Sequence, residues 1–449
     1  MHTKNEYMLT GSIPKSIIKF AVPLFFGNLF QQLYNTADSL IVGNKLGDTA
    51  LAAVSSTGML IFLLVGFFQG IGLGAGVVIS QFFGAKDKKN LRLSIHTYIA
   101  LSLVIGVVLT VVATWLSPQI LQWMGTPIEV MPEAVEYISV YFMGGLGLVM
   151  YNSCMGIMQA VGDSKHPLYY LIISSVINVA LDLILIVGFD QGVWAAALAT
   201  IISQFISVVL CMIRLMRTKE DYSVRVRELC FNKRMVSMIL RIGLPSGVQN
   251  SIIAFANVIV QSNINYFGEM AMAGCGAYSK IEGFAFLPIT SFTSAITTFV
   301  GQNLGAGNKD RVRKGARFGL ICSLTIAEII GILFYVSAPL LISAFTRDSK
   351  AISYGVQKAQ ICSLFYFLLA ATHSFAAVLR GAGKSLVPML TMLVFWCVIR
   401  VGFLLVMVPI TQSIDVVNWV YPLTWTLSSI TLLIYYIKAD WVNTKVIKN

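Results

Sequence analysis

Twelve long apolar segments, each with few or no charged residues, constrain the fold of this chain more than any other feature. Each is long enough to cross the hydrocarbon core of a bilayer as a helix, which takes roughly 20 residues. Charged residues make up only 12% of the sequence, about half their usual share in soluble domains. Such a chain cannot cover a water-exposed surface, and its loops are too short to hold a soluble domain. We therefore predict an all-α integral membrane protein.

The apolar segments fall into two groups of six. The predicted spans are 20–43, 52–79, 93–117, 136–160, 168–189, 193–213, 242–267, 272–299, 318–345, 359–380, 386–411 and 416–437. The longest polar stretch, 214–234, lies between the sixth span and the seventh. We predict twelve transmembrane helices in two pseudo-symmetric six-helix bundles: an N-terminal lobe over 1–213, a cytoplasmic linker over 214–238 and a C-terminal lobe over 239–449.

The two halves are internal repeats. Four matches recur in the same order at an offset of 221 or 222 residues: Pro23 with Pro245, Gly47 with Gly268, Gln81 with Gln302, and Gly162 with Gly383. Because six spans separate equivalent positions, both halves enter the membrane from the same side, and two such bundles can rock about a central site. The repeat favours a transporter, although duplication also builds inert scaffolds.

The basic residues predict the orientation of the chain in an inner cell membrane. With the N-terminus inside, 26 of the 32 Lys and Arg residues lie on the cytoplasmic side, so we expect both termini there. The exceptions are Lys45, Arg347, Lys350 and Lys358 in outer loops, with Lys280 and Arg400 inside spans. The net charge of +12 is thus a topology signal, and binding of nucleic acid is not expected.

Polar residues inside the first-lobe spans mark a candidate site, since a charged side chain at the bilayer centre costs roughly 2.5 to 3.5 kcal/mol. One face of spans 1, 5 and 6 carries Asn28, Gln31, Asn35, Asp38, Asn178, Asp182 and Thr200. We expect these faces to converge on a wet cavity. Two carboxylates there resist double ionisation, so the pair retains a proton or attracts a cation, and the oxygen set also suits Na⁺. The alternative for Asp38 is a merely interfacial position.

The second half lacks an equivalent acid, because Phe403 stands where the repeat would place a partner of Asp182. Cation coupling is therefore expected in the first lobe alone. The predicted substrate path combines polar residues of both halves: Gln31, Asn35, Asn257, Gln261 and Glu282. For Glu328 and Arg400, a buried interhelical pair is the favoured interpretation.

Pro23 is a candidate hinge in the first span. If the helix begins near Ile13, the proline removes an interior backbone hydrogen bond and permits a bend in the helix that carries Asp38. A static kink and a simple helix start are the alternatives.

Taken together, these features resemble the multidrug and toxic compound extrusion (MATE) family over essentially the whole chain. The resemblance rests on Pro23 and Asp38, on QFFGA at 81–85 and QNLGA at 302–306, and on Asn178 with Asp182. It implies an antiporter that expels organic, often cationic, compounds while H⁺ or Na⁺ enters. Prokaryotic members of the family have a cation site in the N-terminal lobe. The residues of that site resemble Asp38, Asn178, Asp182 and Thr200 of this chain. An acid early in span 7, the family's other pattern, is absent.

The sequence indicates no ATP site, because Gly383-Lys384-Ser385 lacks the earlier glycine of a Walker A loop. We therefore predict no bound cofactor or metal beyond the coupling ion, H⁺ or Na⁺. We also predict that the protein is a monomer in the lipid bilayer. A lipid-linked oligosaccharide flippase of the same superfamily is the alternative, but Arg400 and Lys280 are too few cations for a pyrophosphate. An enzyme is not expected, since His373 alone forms no catalytic cluster.

Overall fold

The computed structural model describes residues 6–443, apart from the side chains of residues 48 and 59, and all regular secondary structure in this range is helical. The α-helices are α1 Tyr7–Thr10, α2 Ile13–Leu46, α3 Asp48–Gly84, α4 Lys88–Trp123, α5 Met131–Met143, α6 Gly145–Ala160, α7 Lys165–Asp182, α8 Trp194–Arg217, α9 Lys233–Asn265, α10 Glu269–Gly305, α11 Lys309–Ser343, α12 Ser349–Ser363, α13 Tyr366–Gly381, α14 Leu386–Met392, α15 Arg400–Thr411 and α16 Asp415–Lys438. The segments Leu183–Gly188 and Leu393–Ile399 are π-helical, and Val226–Glu228 is a short 3₁₀ turn.

Ten of the spans in the described range are formed by helices long and apolar enough to cross a membrane. Two further spans arise if each bent helix pair crosses once: α5 with α6, bent by 51°, and α12 with α13, bent by 52°. These elements confirm the predicted all-α membrane fold. The predicted spans 136–160 and 359–380 are therefore broken helices, which begin earlier than their apolar segments, at Met131 and Ser349.

The same backbone turns recur at equivalent positions of the two halves. Residues with a positive φ angle pair across the repeat: Gly47 (92°) with Gly268 (89°), Lys86 (56°) with Gly307 (74°), Gly162 (89°) with Gly383 (79°), and Asp190 (55°) with Gln412 (49°). Glycine adopts this conformation without a steric penalty, which explains why it occupies most of these positions. The repeat read from the sequence is thus present in the backbone geometry of the helix connections.

The chain divides into two compact units. The first contains Phe26–Gly243, and the second contains Tyr7–Phe25 and the chain from Leu244 onward. At both places where the chain passes from one unit to the other, it does so inside a long helix. The first lies two residues after Pro23 in α2, and the second lies just before Pro245 in α9. The linker lies with the first unit in this division. The lobe boundaries at residues 213 and 239 stay a prediction.

In the first unit, an apolar cluster fixes the helices that carry the candidate site. Val42 of α2, Tyr137 of α5, Ile186 of the π-helical segment and Ala196 of α8 are all buried in it. Because Val42, Ile186 and Ala196 each lie four residues from a polar position of the site, their packing sets the depth of those polar side chains.

In the second unit, polar contacts hold the start of the described chain. The Arg311 guanidinium donates to the carbonyl oxygen of Met8, at 3.1 Å from Nε and 3.0 Å from Nη2, and to that of Gly11 at 2.5 Å. Asn303 Nδ2 also donates to Met8, at 3.1 Å. The first half of α2 then packs through Phe20 against the second unit's core.

Candidate functional site

Asp38 and Asp182, the two acids predicted to form a coupling pair, meet inside the first unit. Asp38 of α2 is 8% exposed and Asp182, the last residue of α7, is fully buried. Their carboxyl groups lie within hydrogen-bonding range of each other. Two carboxylates hold this position only if a proton lies between them or a cation compensates their charge. Asp38 is thus a buried member of a pair, and its depth in the bilayer stays a prediction.

Asn178 and Thr200 form the other half of the predicted constellation. Asn178 Nδ2 donates to Thr200 Oγ1 at 3.3 Å, and that hydroxyl donates to the carbonyl oxygen of Ala196 at 3.1 Å. Asn178 precedes Asp182 by one helical turn, so both side chains lie on the same face of α7. The contact links α7 to α8 beside the acidic pair.

Four buried oxygens of this site accept no hydrogen bond from any group in residues 6–443: Asp38 Oδ1, Asn178 Oδ1 and both carboxylate oxygens of Asp182. Buried polar atoms are almost always satisfied, so such a concentration calls for an explanation. Carboxylate and amide oxygens are the ligands that a hard cation prefers, and carboxylates also take up protons. The arrangement is chemically suited to bind H⁺ or Na⁺.

Two tyrosines lie near the acidic pair, which the sequence interpretation missed. Tyr34 and Tyr137 both lie within electrostatic range of Asp38 and Asp182. The side chain of Tyr34 is hydrogen-bonded to Gln31, and Tyr137 stacks on Tyr141 with ring centroids 6.2 Å apart. The sequence could have indicated Tyr34, because it stands four residues before Asp38 and so lies on the same face of the helix. These phenol rings lie near the carboxyl groups without pairing their charge.

The backbone changes its winding directly after Asp182. The π-helical segment Leu183–Gly188 follows α7 without a break, and Ile186 within it is fully buried. Short π-helical insertions occur often at functional sites, because the wider turn re-aims the side chains beside it. Nothing in the sequence pattern announces this change, since the apolar run continues through it.

Pro23 lies inside α2, because that helix begins ten residues earlier at Ile13. It therefore does not start the helix, and the remaining interpretations are a static kink and a hinge. The change from the second unit to the first occurs between Phe25 and Phe26. The residue that removes an interior hydrogen bond is thus two positions from the boundary between the units.

The residues of the predicted substrate path divide between the two units. Gln31 and Asn35 are exposed in the first unit. In the second unit Asn257 is exposed, whereas Gln261 and Glu282 are partly buried. Gln261 Nε2 donates to Asn265 Oδ1 at 2.9 Å. Their role in a substrate path stays a prediction.

The expected pair of Glu328 and Arg400 is wrong. Glu328 accepts a hydrogen bond from the backbone N–H of Phe367 at 3.3 Å, whereas Arg400 donates to Thr424 Oγ1 at 3.2 Å from Nε and 2.6 Å from Nη2. The placement of Lys358 in an outer loop is wrong as well. Lys358 lies in α12 and is 2% exposed, because this polar stretch forms the first half of a broken helix.

Comparison with known proteins agrees with the repeat. A family model described as MatE matches the chain twice, over residues 23–184 and again over 245–406. The chain belongs to the MATE family. Each match to the MATE model starts at the proline next to a change of unit, Pro23 in the first half and Pro245 in the second.

Curated MATE relatives cover nearly the whole chain. The probable multidrug resistance protein YoeA of Bacillus subtilis (strain 168) is 30% identical over 97% of both proteins. The probable multidrug resistance protein NorM of Thermotoga maritima is 27% identical, with 96% of this chain and 93% of that protein covered. A solved outward-facing multidrug resistance MATE family transporter of the MOP superfamily superposes with a TM-score of 0.92 at 22% identity, over 99% of this chain and 100% of that one. This MATE chain is a multi-pass membrane protein with the fold of that transporter.

Proposed function

We propose that this MATE protein is a secondary active exporter, which moves small organic compounds, chiefly cations, out of the cell in exchange for inflowing H⁺ or Na⁺. The names of its relatives support multidrug export. The buried acidic pair of Asp38 and Asp182 supports coupling to a cation. The protein acts as a carrier and performs no covalent chemistry on its substrates.

The observation that carries this proposal is the buried acidic pair with its uncompensated oxygens. Outside a coupling site, burying two adjacent carboxyl groups costs free energy and contributes nothing in return. A carrier needs a group whose charge changes with the ion it binds. One proton or one Na⁺ on the pair neutralises charge that the nearby tyrosines leave unpaired.

Alternating access supplies the second half of the proposed mechanism. When a cation binds to the pair, the charge beside α2 is neutralised. In our proposal the helix then bends at Pro23, which lies next to the place where the chain passes from the second unit to the first. The two repeats then rock, and the pair faces the cytoplasm, where it releases the ion and new substrate binds. We place the protein as a monomer in the inner membrane, with both termini in the cytoplasm.

Transport by proteoliposomes tests the function. Efflux of a fluorescent organic cation is followed under an imposed pH gradient and, separately, under an imposed Na⁺ gradient. We expect the wild type to respond to at least one gradient. Asp38→Asn and Asp182→Asn are expected to fall to the level of protein-free liposomes, because each removes one carboxylate of the pair.

Asp190→Asn is the matched control. Its carboxylate is 80% exposed and pairs with Lys45 at 3.1 Å, and asparagine tolerates the positive φ angle at this position. This variant should transport as the wild type does. Gradient-driven efflux that survives in a properly inserted Asp182→Asn protein contradicts the proposal. A wild type that is inert under both gradients favours the flippase alternative.

A further inference from the structure

A wide cavity lies between the start of α4 and the linker that follows α8, entirely within the first unit. Its volume is about 700 Å³, and most of its lining side chains are polar or charged. Lys88, Lys89 and Arg92 line it from α4, and Lys219 and Arg225 line it from the linker. Neither the proposed cation coupling nor the predicted substrate path uses this cavity.

Hydrogen bonds of a buried histidine fasten the linker to α4. His96 is 1% exposed, and its Nε2 accepts a hydrogen bond from the backbone N–H of Arg225 at 3.0 Å. Its Nδ1 lies 2.7 Å from the carbonyl oxygen of Arg92 and therefore donates to it. The backbone N–H of Asn232 also donates to Thr97 Oγ1, at 3.4 Å. The walls of the cavity are thus formed in advance, so a ligand does not have to order them.

Two ion pairs across the cavity occupy two of its three acids. Glu228 Oε2 lies 2.6 Å from Arg92 Nε, and Arg92 Nη2 donates to Glu228 Oε1 at 2.9 Å. Asp221 Oδ2 lies 3.1 Å from Lys88 Nζ. Each pair joins an α4 residue to a linker residue, and each cation in it is compensated.

The charges that remain are mostly positive. Lys89 and Lys219 line the cavity, and neither ammonium lies within 4.0 Å of a carboxylate in residues 6–443. Arg225 Nη1 reaches Glu228 only at 3.4 Å, and its side chain is 64% exposed. With Glu220 as the third acid, the cavity carries two net positive charges. Uncompensated cations of this kind are suited to bind the oxygens of a phosphate group.

The cavity lies where the apolar segment of α4 begins. Leu93, the first residue of the predicted span 93–117, lines it together with the charged side chains. On the linker, Val226 is 56% exposed and Phe231 is 62% exposed, and each stands next in sequence to a residue that lines the cavity. Basic groups at the end of a transmembrane helix, beside exposed apolar side chains, are typical of a surface that contacts anionic lipid.

We propose that this cavity binds the phosphate of an anionic phospholipid, and that Lys89 and Lys219 select the negative headgroup. The net positive charge repels the cation of a zwitterionic headgroup, which sets the preference. Val226 and Phe231 contact the apolar part of the bilayer surface. The bound lipid joins α4 to the linker and so holds the linker at the membrane. The site uses no residue of the acidic pair.

Native mass spectrometry of the purified, delipidated full-length protein tests the site. The probes are phosphatidylglycerol and phosphatidylcholine with identical acyl chains, each titrated from detergent micelles. We expect the wild type to retain one phosphatidylglycerol about tenfold more tightly than phosphatidylcholine, because two cations beside one phosphate give a preference of this size. The double variant Lys89→Gln with Lys219→Gln should lose the preference. Both lysines are exposed, so this protein should fold.

A double variant of α11 is the matched control. Lys309 begins α11 as Lys88 begins α4, at the offset of the repeat, and Lys314 is exposed on the same helix. Neither Lys309 nor Lys314 lines the cavity. Lys309→Gln with Lys314→Gln removes the same charge and should keep the wild-type preference. Equal loss in both double variants is an effect of net charge alone and overturns the proposal, as does equal retention of the two lipids by the wild type.

Two further measurements distinguish a lipid from a soluble anion. Inorganic phosphate should leave the bound phosphatidylglycerol in place, whereas its displacement by an equal concentration of phosphate assigns the cavity to a soluble anion and overturns the proposal. Phe231→Ser should weaken retention of phosphatidylglycerol severalfold, because the ring contacts the lipid and not the phosphate alone. Unchanged retention in Phe231→Ser contradicts the placement of the linker at the lipid surface.

Lipid retention is measured without a gradient or a substrate, so failure of this site is distinguishable from failure of the proposed export. Asp182→Asn is expected to lose gradient-driven efflux and yet to retain phosphatidylglycerol as tightly as the wild type. Loss of that retention in Asp182→Asn contradicts a lipid site that is independent of the acidic pair.

Discussion

The carboxyl groups of Asp38 and Asp182 lie within hydrogen-bonding range of each other, although α2 and α7 carry them and 143 residues separate them in the chain. Asn178 and Thr200, the neutral members of the predicted site, hydrogen-bond to one another. The pair is therefore held by helix packing and by burial, and an external proton or cation is what compensates its charge.

The hydroxyl of Thr200 is predicted to support the coupling site through Asn178. Thr200→Val keeps the shape of the side chain but leaves Asn178 Nδ2 without its acceptor, at a cost of about 1 to 3 kcal/mol in unfolding free energy. Thr200→Ser retains the hydroxyl and should cost much less. Thermal unfolding of the purified proteins measures both. A Thr200→Val protein as stable as the wild type would show that the 3.3 Å contact is dispensable.

Much of this site was predictable because helical periodicity places residues on faces. The spacing of Asn178 and Asp182 put both on one side of a helix, and the face of the first span contained Asp38. What periodicity does not give is the packing of one helix against another. Tyr137 stands in a broken helix, far along the chain from both acids, so its position beside them follows only from the tertiary structure.

Pro23 is predicted to be a hinge, and Pro23→Ala should then slow transport without destabilising the protein. Alanine restores an interior backbone hydrogen bond and favours a straight α2. Pro118 also lies inside a helix, α4, but far from any change of unit, so Pro118→Ala serves as the control. Initial rates in proteoliposomes and melting temperatures decide between hinge and static kink. Wild-type rates for Pro23→Ala argue for the static kink.

Arg311 is predicted to anchor residues 8–11 to the second unit. Arg311→Ala removes charged hydrogen bonds to the carbonyl oxygens of Met8 and Gly11, each contributing about 1.5 to 3 kcal/mol. Amide hydrogen exchange in residues 8–16 should accelerate. Arg313→Ala is the control, because its long pair with Asp310 at 3.8 Å is exposed and contributes about 0 to 1 kcal/mol. Unchanged exchange in Arg311→Ala would mean that apolar packing alone holds the segment.

The errors of the sequence interpretation share one physical cause. Lys358 was assigned to a loop because a polar stretch precedes its apolar span, yet polar sequence stays helical when it is buried among protein groups. Arg400 was paired with Glu328 because opposite charges in spans attract, whereas aromatic rings and Thr424 hold it instead. Charge patterns predict that a buried cation has partners, but they do not identify them.

Two glycines of α3 are predicted to respond in opposite directions to alanine. A Cβ at Gly74 would lie 2.6 Å from the carbonyl oxygen of Ile239 and closer still to the backbone of Gly243, so Gly74→Ala forces α3 and α9 apart. Overpacking of this kind costs about 1 to 3 kcal/mol. A Cβ at Gly58 meets no atom within 4 Å, and Gly58→Ala should stabilise the helix by about 0.5 to 1 kcal/mol. Melting temperatures of both variants test the contact, and a Gly74→Ala protein as stable as Gly58→Ala would exclude so close an approach of the two helices.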